Sequence, residues 1–292
     1  MNKQEFLANQ DVEEFLVWLA RELPRLKIRL DIKRSRFVPS GLKVDVTGLE
    51  SVLAHYTWKS HGMATGDWTE TRARLAALAH MLRDAVHRDS NPDALDACRD
   101  ILKWGGNRNW NRGAYPFLDA RAAAGVLCSY LRDAGAAFAL VTADVDAIVP
   151  PIELLNSMLT KVHALYAEDG LPIYDSRVAV AIASLVEMWR VATGKSEDPL
   201  PAPLTFPATT ASRTVRDLFT HASSPGVMAY GAPETAGQWA SVKVRLGWIM
   251  EGILGKMPEL FSGCCPAPSL ADRMHTFEAS LFMVGYNLRC LD

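Results

Sequence analysis

The chain has 292 residues, 31 Lys and Arg against 33 Asp and Glu, a formal charge of −2, and 49% hydrophobic residues. This balance excludes intrinsic disorder as the main state and gives no global nucleic-acid signal, while leaving ample apolar material for a core. The longest apolar runs, at 122–131 and 178–186, are bounded by charged residues and fall well short of the ~20 residues of a membrane span. The N-terminal Met-Asn-Lys-Gln-Glu-Phe lacks an apolar h-region, so no secretory signal and a cytoplasmic location are expected.

Helical periodicity dominates. Asp11 is placed to cap a helix over 12–22, with Phe15, Leu16, Leu19 and Leu23 on one stripe and Pro24 as a stop. Leu26, Leu30 and Ile32, then Leu42, Val44 and Val46, alternate with polar residues around Pro39-Ser40-Gly41, which predicts a small hairpin or an extended arm. A helix opening at Thr69 or Thr71 spaces Leu75, Leu78, Ala79, Leu82 and Val86 along one side. Pro92 stands in the first turn of a helix carrying Leu95, Cys98, Ile101 and Leu102. Further helices are expected over 120–132, 151–166, 176–191, 214–221, 238–254 and 270–288. The segment 194–211, with four prolines and no period, reads as a long connection over the surface; 263–268 is a second loop. The expectation is a mainly α chain, with a helix and basic extended segment over 1–55 and a helical domain over 56–292.

Several chemistries are absent. The five cysteines are odd in number and contain no Cys-x-x-Cys, which argues against a disulfide framework or a zinc site. There is no His-Glu-x-x-His, Gly-x-Ser-x-Gly, Gly-x-Gly-x-x-Gly or zinc-deaminase pattern. Gly252-Ile-Leu-Gly255-Lys256 has the wrong spacing for a phosphate loop and follows a helix. No metal and no cofactor is expected.

The most informative stretch runs from Thr160-Lys161-Val162-His163 to Leu171-Pro172-Ile173-Tyr174-Asp175-Ser176-Arg177-Val178. A helix ends near Tyr166, Glu168-Asp169-Gly170 supplies the stop, Pro172 keeps the chain extended, and Asp175 or Ser176 opens the next helix. Taken alone, Asp175 reads as an N-cap, where free amides favour a carboxylate. The segment Leu-Pro-Ile-Tyr-Asp175-Ser-Arg-Val also resembles the Pro-Val-Asp segment of the helix-hairpin-helix DNA glycosylase superfamily, most of all bacterial proteins with an 8-oxoguanine DNA glycosylase fold. Ile101-Leu102-Lys103-Trp104-Gly105-Gly106 and Phe277 to Tyr286 are similar to the same group, which extends the resemblance over 56–286. It implies a two-lobed helical fold with a cleft near 104–112 and 161–177. It implies that Asp175 is the catalytic carboxylate and that Lys161 stands where bifunctional members carry a nucleophilic lysine. The separation of fourteen residues is short for the superfamily, and Leu154-Leu155-Asn156-Ser157-Met158-Leu159 replaces its Leu-Pro-Gly-Val-Gly hairpin.

The resemblance therefore implies an enzyme that flips a base, expected to be modified, from double-stranded DNA and cleaves its glycosidic bond, in base-excision repair or in defence against modified phage DNA. A buried carboxylate steadies the cation that develops on the sugar. A partly deprotonated Lys161 would add AP-lyase chemistry through an imine. The short spacing and missing hairpin tilt the sequence reading toward simple hydrolysis to an abasic site. The loop Lys103-Trp104-Gly105-Gly106-Asn107-Arg108-Asn109-Trp110-Asn111-Arg112 gathers cations, indoles and amides that suit phosphate and base contact. Trp104, Asn107, Arg108, Asn109, Trp110 and Arg112 are its candidate DNA contacts, joined by Tyr174 and Arg177 beside Asp175. The basic run 21–43, with Lys33, Arg34 and Arg36, is a candidate duplex-facing patch. Tyr56-Thr57-Trp58 reads as a pocket lining or a core edge, core first, His163 as structural, and Trp239, Phe282 and Tyr286 as core. A monomer with no membrane partner is expected. The reading from another class is a non-catalytic DNA-binding module that keeps the fold.

Overall fold

The computed structural model describes residues 1–106, 110–210, 212–214, 227–228 and 233–291. The architecture is mainly α with one small N-terminal hairpin. Helix α1 (Lys3–Leu7) opens with a capping box between Asn2 and Glu5. Helix α2 (Gln10–Glu22) is capped by Asn9, whose side chain accepts from Asp11 N and Val12 N. The expected cap at Asp11 is thus corrected: an asparagine two residues earlier takes the free amides, and Asp11 falls in the first turn.

Strands β1 (Lys27–Ile32) and β2 (Leu42–Thr47) pair antiparallel with Leu30 opposite Val44. Ile28, Leu30 and Ile32 face inward, and β1 packs on α10 (Leu270–Val284) and on the short turn Leu288–Leu291.

Helix α3 (Trp68–His87) starts just before the expected threonines because Asp67 caps it, accepting from Glu70 N. The Glu70 carboxylate turns back onto the N–H groups of Gly66, Ala64 and Thr65, which hold its pKa down to about 2. Helix α4 (Asn91–Trp104) begins as expected, with Ser90 as cap and Pro92 in its first turn. The single helix expected over 120–132 is two: α5 (Ala114–Ala123) and α6 (Leu127–Phe138). The break has a local cause. Gly125 adopts φ +72°, Gly125 N donates to Ala122 O, and Val126 N donates to Arg121 O, which is a Schellman ending.

The helix expected over 151–166 is α7 (Leu159–Tyr166) alone. Buried Asn156 accepts from Met158 N and Leu159 N through its side chain and from Thr160 N through its carbonyl. That cap sets the start, and Ile152, Leu154 and Leu155 are buried without helical backbone. Helix α8 (Ser176–Ala192) is capped by Asp175 as expected. The 194–211 connection does not skim the surface: Leu204, Phe206 and Ala208 are buried, and Arg245 donates to the carbonyls of Ala202, Pro203 and Thr205. Arg245 lies on α9 (Ala236–Lys256). The helix expected over 214–221 lies outside the described residues apart from Thr214. Helix α10, capped by Ser269 and Asp272, ends at Gly285 rather than at 288.

Helices α8 and α9 each pack on α10 and on α2, while α3, α4 and α7 form a neighbouring group. Trp189, Trp239 and Trp248 are fully buried. The five cysteines form no disulfide. No described helix is long and apolar enough to cross a membrane.

Candidate active site

The extended segment between α7 and α8 brings Lys161 and Asp175 together. Asp175 Oδ1 accepts from Arg177 N at 2.9 Å and Val178 N at 3.2 Å. Its other oxygen, Oδ2, lies 3.6 Å from Lys161 Nζ. Lys161 also donates to Ser157 O at 2.9 Å. Only 4% of Lys161 and 6% of Asp175 is exposed, and both line one cavity of about 480 Å³. So the N-cap role and a site role coexist in Asp175, one oxygen serving each. Gly105, at the end of α4, leaves room for the lysine stem: a Cβ there would stand 2.7 Å from Lys161 Cδ.

Burial, the largest influence on Asp175, pushes its carboxyl up, but Lys161, Arg177 and the two N–H groups outweigh it and leave it below the usual carboxylate range. Burial also drives the Lys161 ammonium down, opposed in part by Asp175 and Glu278. The pair therefore combines an ionised carboxylate with an amine that loses its proton more readily than a surface lysine.

The walls are aromatic. Tyr56, Trp58, Trp68, Trp104 and Phe282 all line the cavity. Trp58 donates from Nε1 to Trp104 O at 3.1 Å, and Ser60 Oγ donates to the same carbonyl at 2.6 Å, which ties the Trp58 indole to the end of α4. The Nε1 atoms of Trp68 and Trp104 are buried and meet no hydrogen-bond partner among the described residues. Arg177 lies over Tyr286 at 4.1 Å, Phe282 at 4.9 Å and Trp58 at 5.5 Å.

Sequence reasoning missed several groups here. Glu278 is 8% exposed, lines the cavity and accepts from Ile173 N at 3.0 Å. His275 Nδ1 lies 3.8 Å from the same carboxylate. The available signal was polar His275 and Glu278 beside Phe282, spaced i, i+3, i+7 along the largely buried stretch 274–284. Trp68, Arg72, Leu75, His80 and Arg83 form a matching stripe on α3.

The other candidates scatter. Trp104 is in the wall, and Tyr56 and Trp58 line the cavity as well as being buried, so both readings of them hold. Trp110 is 52% exposed and lies in a separate surface depression with Arg36, Phe37, Lys59, His61 and Lys103. Lys103 Nζ sits 5.9 Å above its ring. Arg112, Lys33, Arg34 and Arg36 are exposed, and Arg36 donates to Gly106 O at 2.7 Å, tying the basic run to the loop. Further back, Arg21 and Arg25 pair with Glu22 and Arg29 pairs with Asp45, so part of the run's charge is compensated. Asn107, Arg108 and Asn109 lie outside the described residues. Tyr174 is a correction: it is fully buried, donates to Pro207 O at 2.8 Å and meets Trp239 edge-on, so it belongs to the core and cannot touch DNA. Trp239 is core as expected.

His163 is structural. It is 2% exposed, lies 3.3 Å from Tyr130 Oη, and burial together with Lys243 lowers its pKa from 6.5 to about 3. Between about pH 6.5 and pH 3 the unfolded chain binds a proton here that the folded chain does not. Stability therefore falls as pH falls through that window. His163→Gln should remove this part of the acid sensitivity. Urea unfolding at pH 7 and pH 4.5 should show the wild-type loss between the two shrinking by about 2 kcal/mol in the variant.

No protein-family model, curated protein or solved structure matches the chain.

Proposed function

We propose that this protein is a DNA N-glycosylase that accepts a flipped, modified base in the aromatic cavity and releases it through Asp175 and Lys161. The observation that carries this reading is the 3.6 Å approach of a buried lysine to a buried carboxylate on the lining of a cavity walled by indoles. Flat rings suit an extruded base. The ionised Asp175 suits the positive charge that develops at the sugar. With its proton lost, Lys161 Nζ attacks C1′, the C1′–N bond breaks, and its electron pair leaves with the base, which takes up a proton. Opening of the sugar ring then gives an imine between Nζ and C1′. The lowered affinity of Lys161 for its proton favours this lysine route over simple hydrolysis.

The decisive experiment incubates the protein with duplexes carrying single modified bases, followed by alkali, and in parallel traps the complex with borohydride. Expected are base release from at least one substrate and a covalent protein–DNA adduct that Lys161→Gln abolishes. Base release without an adduct would return Lys161 to a supporting role. Salt-sensitive binding with no base release from any duplex would leave a non-catalytic DNA-binding module.

Lys33 and Arg34 are exposed and ion-paired with nothing among the described residues. If they meet phosphates, each contact contributes about 0.9 to the salt dependence of binding. In the double variant Lys33→Ala, Arg34→Ala, fluorescence anisotropy across a salt series should show the slope of log K against log salt flattening by nearly 2. An unchanged slope would remove the basic run from the interface.

A further inference from the structure

A third cation stands behind the pair. Lys243 on α9 is fully buried, and its Nζ donates to Thr160 O at 3.0 Å and to Pro172 O. Thr160 immediately precedes Lys161, and Pro172 lies on the extended segment that ends in Asp175. One ammonium thus bridges the two backbones that carry the reacting groups. The same segment is held from other sides: Ile173 N by Glu278, and Tyr174 O by Thr160 Oγ1 at 3.3 Å.

A neutral amide could donate to two carbonyls. A buried ammonium is a costly substitute, because desolvation of a charge exceeds what carbonyl dipoles return. The groups acting on it are Glu278 from α10, Asp169 from the turn after α7, and Lys161 and His163 from α7 itself, with the Phe138 ring of α6 5.8 Å away. None of the carboxylates is in ion-pair contact with it among the described residues.

We infer that Lys243 is a positioning residue for the reacting pair, tying α7 to the segment before Asp175 and so holding Lys161 Nζ beside Asp175 Oδ2. The inference rests on Lys161 acting as an amine nucleophile. Burial lowers the proton affinity of Lys243 itself, to a pKa of about 7, and the neutral amine donates to the two carbonyls as the ammonium does.

The test needs no DNA. Reductive methylation with formaldehyde and cyanoborohydride modifies only unprotonated amines, and mass spectrometry reads Lys161 individually. Lys243→Met removes the tie and loosens Lys161 from the carboxylate that helps hold its proton, so the pH midpoint of Lys161 labelling should fall by about one unit. Lys243→Gln keeps donors for the two carbonyls, so its midpoint should stay at the wild-type value. An unchanged midpoint in folded Lys243→Met overturns the inference. Unfolding of both variants at pH 7 also overturns it, since Lys243 would then be a general stabiliser. A shifted midpoint in a protein that releases no base from DNA would refute the glycosylase reading and leave the role of Lys243 standing. Intact base release with an unmoved midpoint would do the reverse.

Discussion

Asp175→Asn should slow base release by about a thousandfold while the protein stays folded. Asparagine caps a helix as well as aspartate does, so its side-chain oxygen can keep accepting from Arg177 N and Val178 N. What disappears is the charge at Oδ2 that faces Lys161 and the cavity. Lys161, already disposed by burial to lose its proton, then becomes neutral instead of standing as an uncompensated buried cation. The fold thus tolerates the change and the chemistry does not. Single-turnover kinetics on the best modified duplex, with thermal melting as the control, separates the two. Release at the wild-type rate by a folded Asp175→Asn protein would falsify the mechanism.

The second large effect is on stability and reaches the site indirectly. Gly285 ends α10 where it crosses the first turn of α8. A Cβ there would lie 2.0 Å from Arg177 O and 2.5 Å from Arg177 C. Both are backbone atoms, so no side-chain rotation relieves the clash, and one helix must move. Gly285→Ala should cost about 3 kcal/mol, the upper end of ordinary overpacking. Chemical denaturation should read that loss directly. Because Arg177 N is one of the two donors holding Asp175, the displacement should also raise Asp175's proton affinity. The acid limb of any activity profile should shift upward accordingly. Gly285→Ala with unaltered stability would mean that α8 and α10 are farther apart than the structure places them.

Much of the local architecture was legible. The stop after Tyr166, the extended Pro172 segment and the Asp175 cap were all readable, because each depends on residues close in sequence and on backbone preferences that neighbours impose. So were the alternating hairpin strands and the Pro92 first turn of α4. Two of the failures have a clear physical cause. At 120–132 and 151–166 the apolar period continued across true breaks, because Gly125 and Asn156 end or start helices through backbone and side-chain hydrogen bonds that periodicity does not register. At Tyr174 a polar-tipped ring beside the candidate acid looked available, but its hydroxyl is spent on Pro207 and its ring on the core.

By itself, then, the amino-acid order determined a helical chain with a hairpin near its start, and a lysine and an aspartate flanking one bend. It could do so because caps, stops and stripes are short-range properties. Only the packing of α3, α4, α9 and α10 around that bend decided that the two groups share one cavity, that Glu278 and five aromatic side chains line it, and that Lys243 stands behind. Those neighbours lie tens to more than a hundred residues away along the chain. Burial and field are sums over whatever the fold brings near, and no local pattern encodes such a sum.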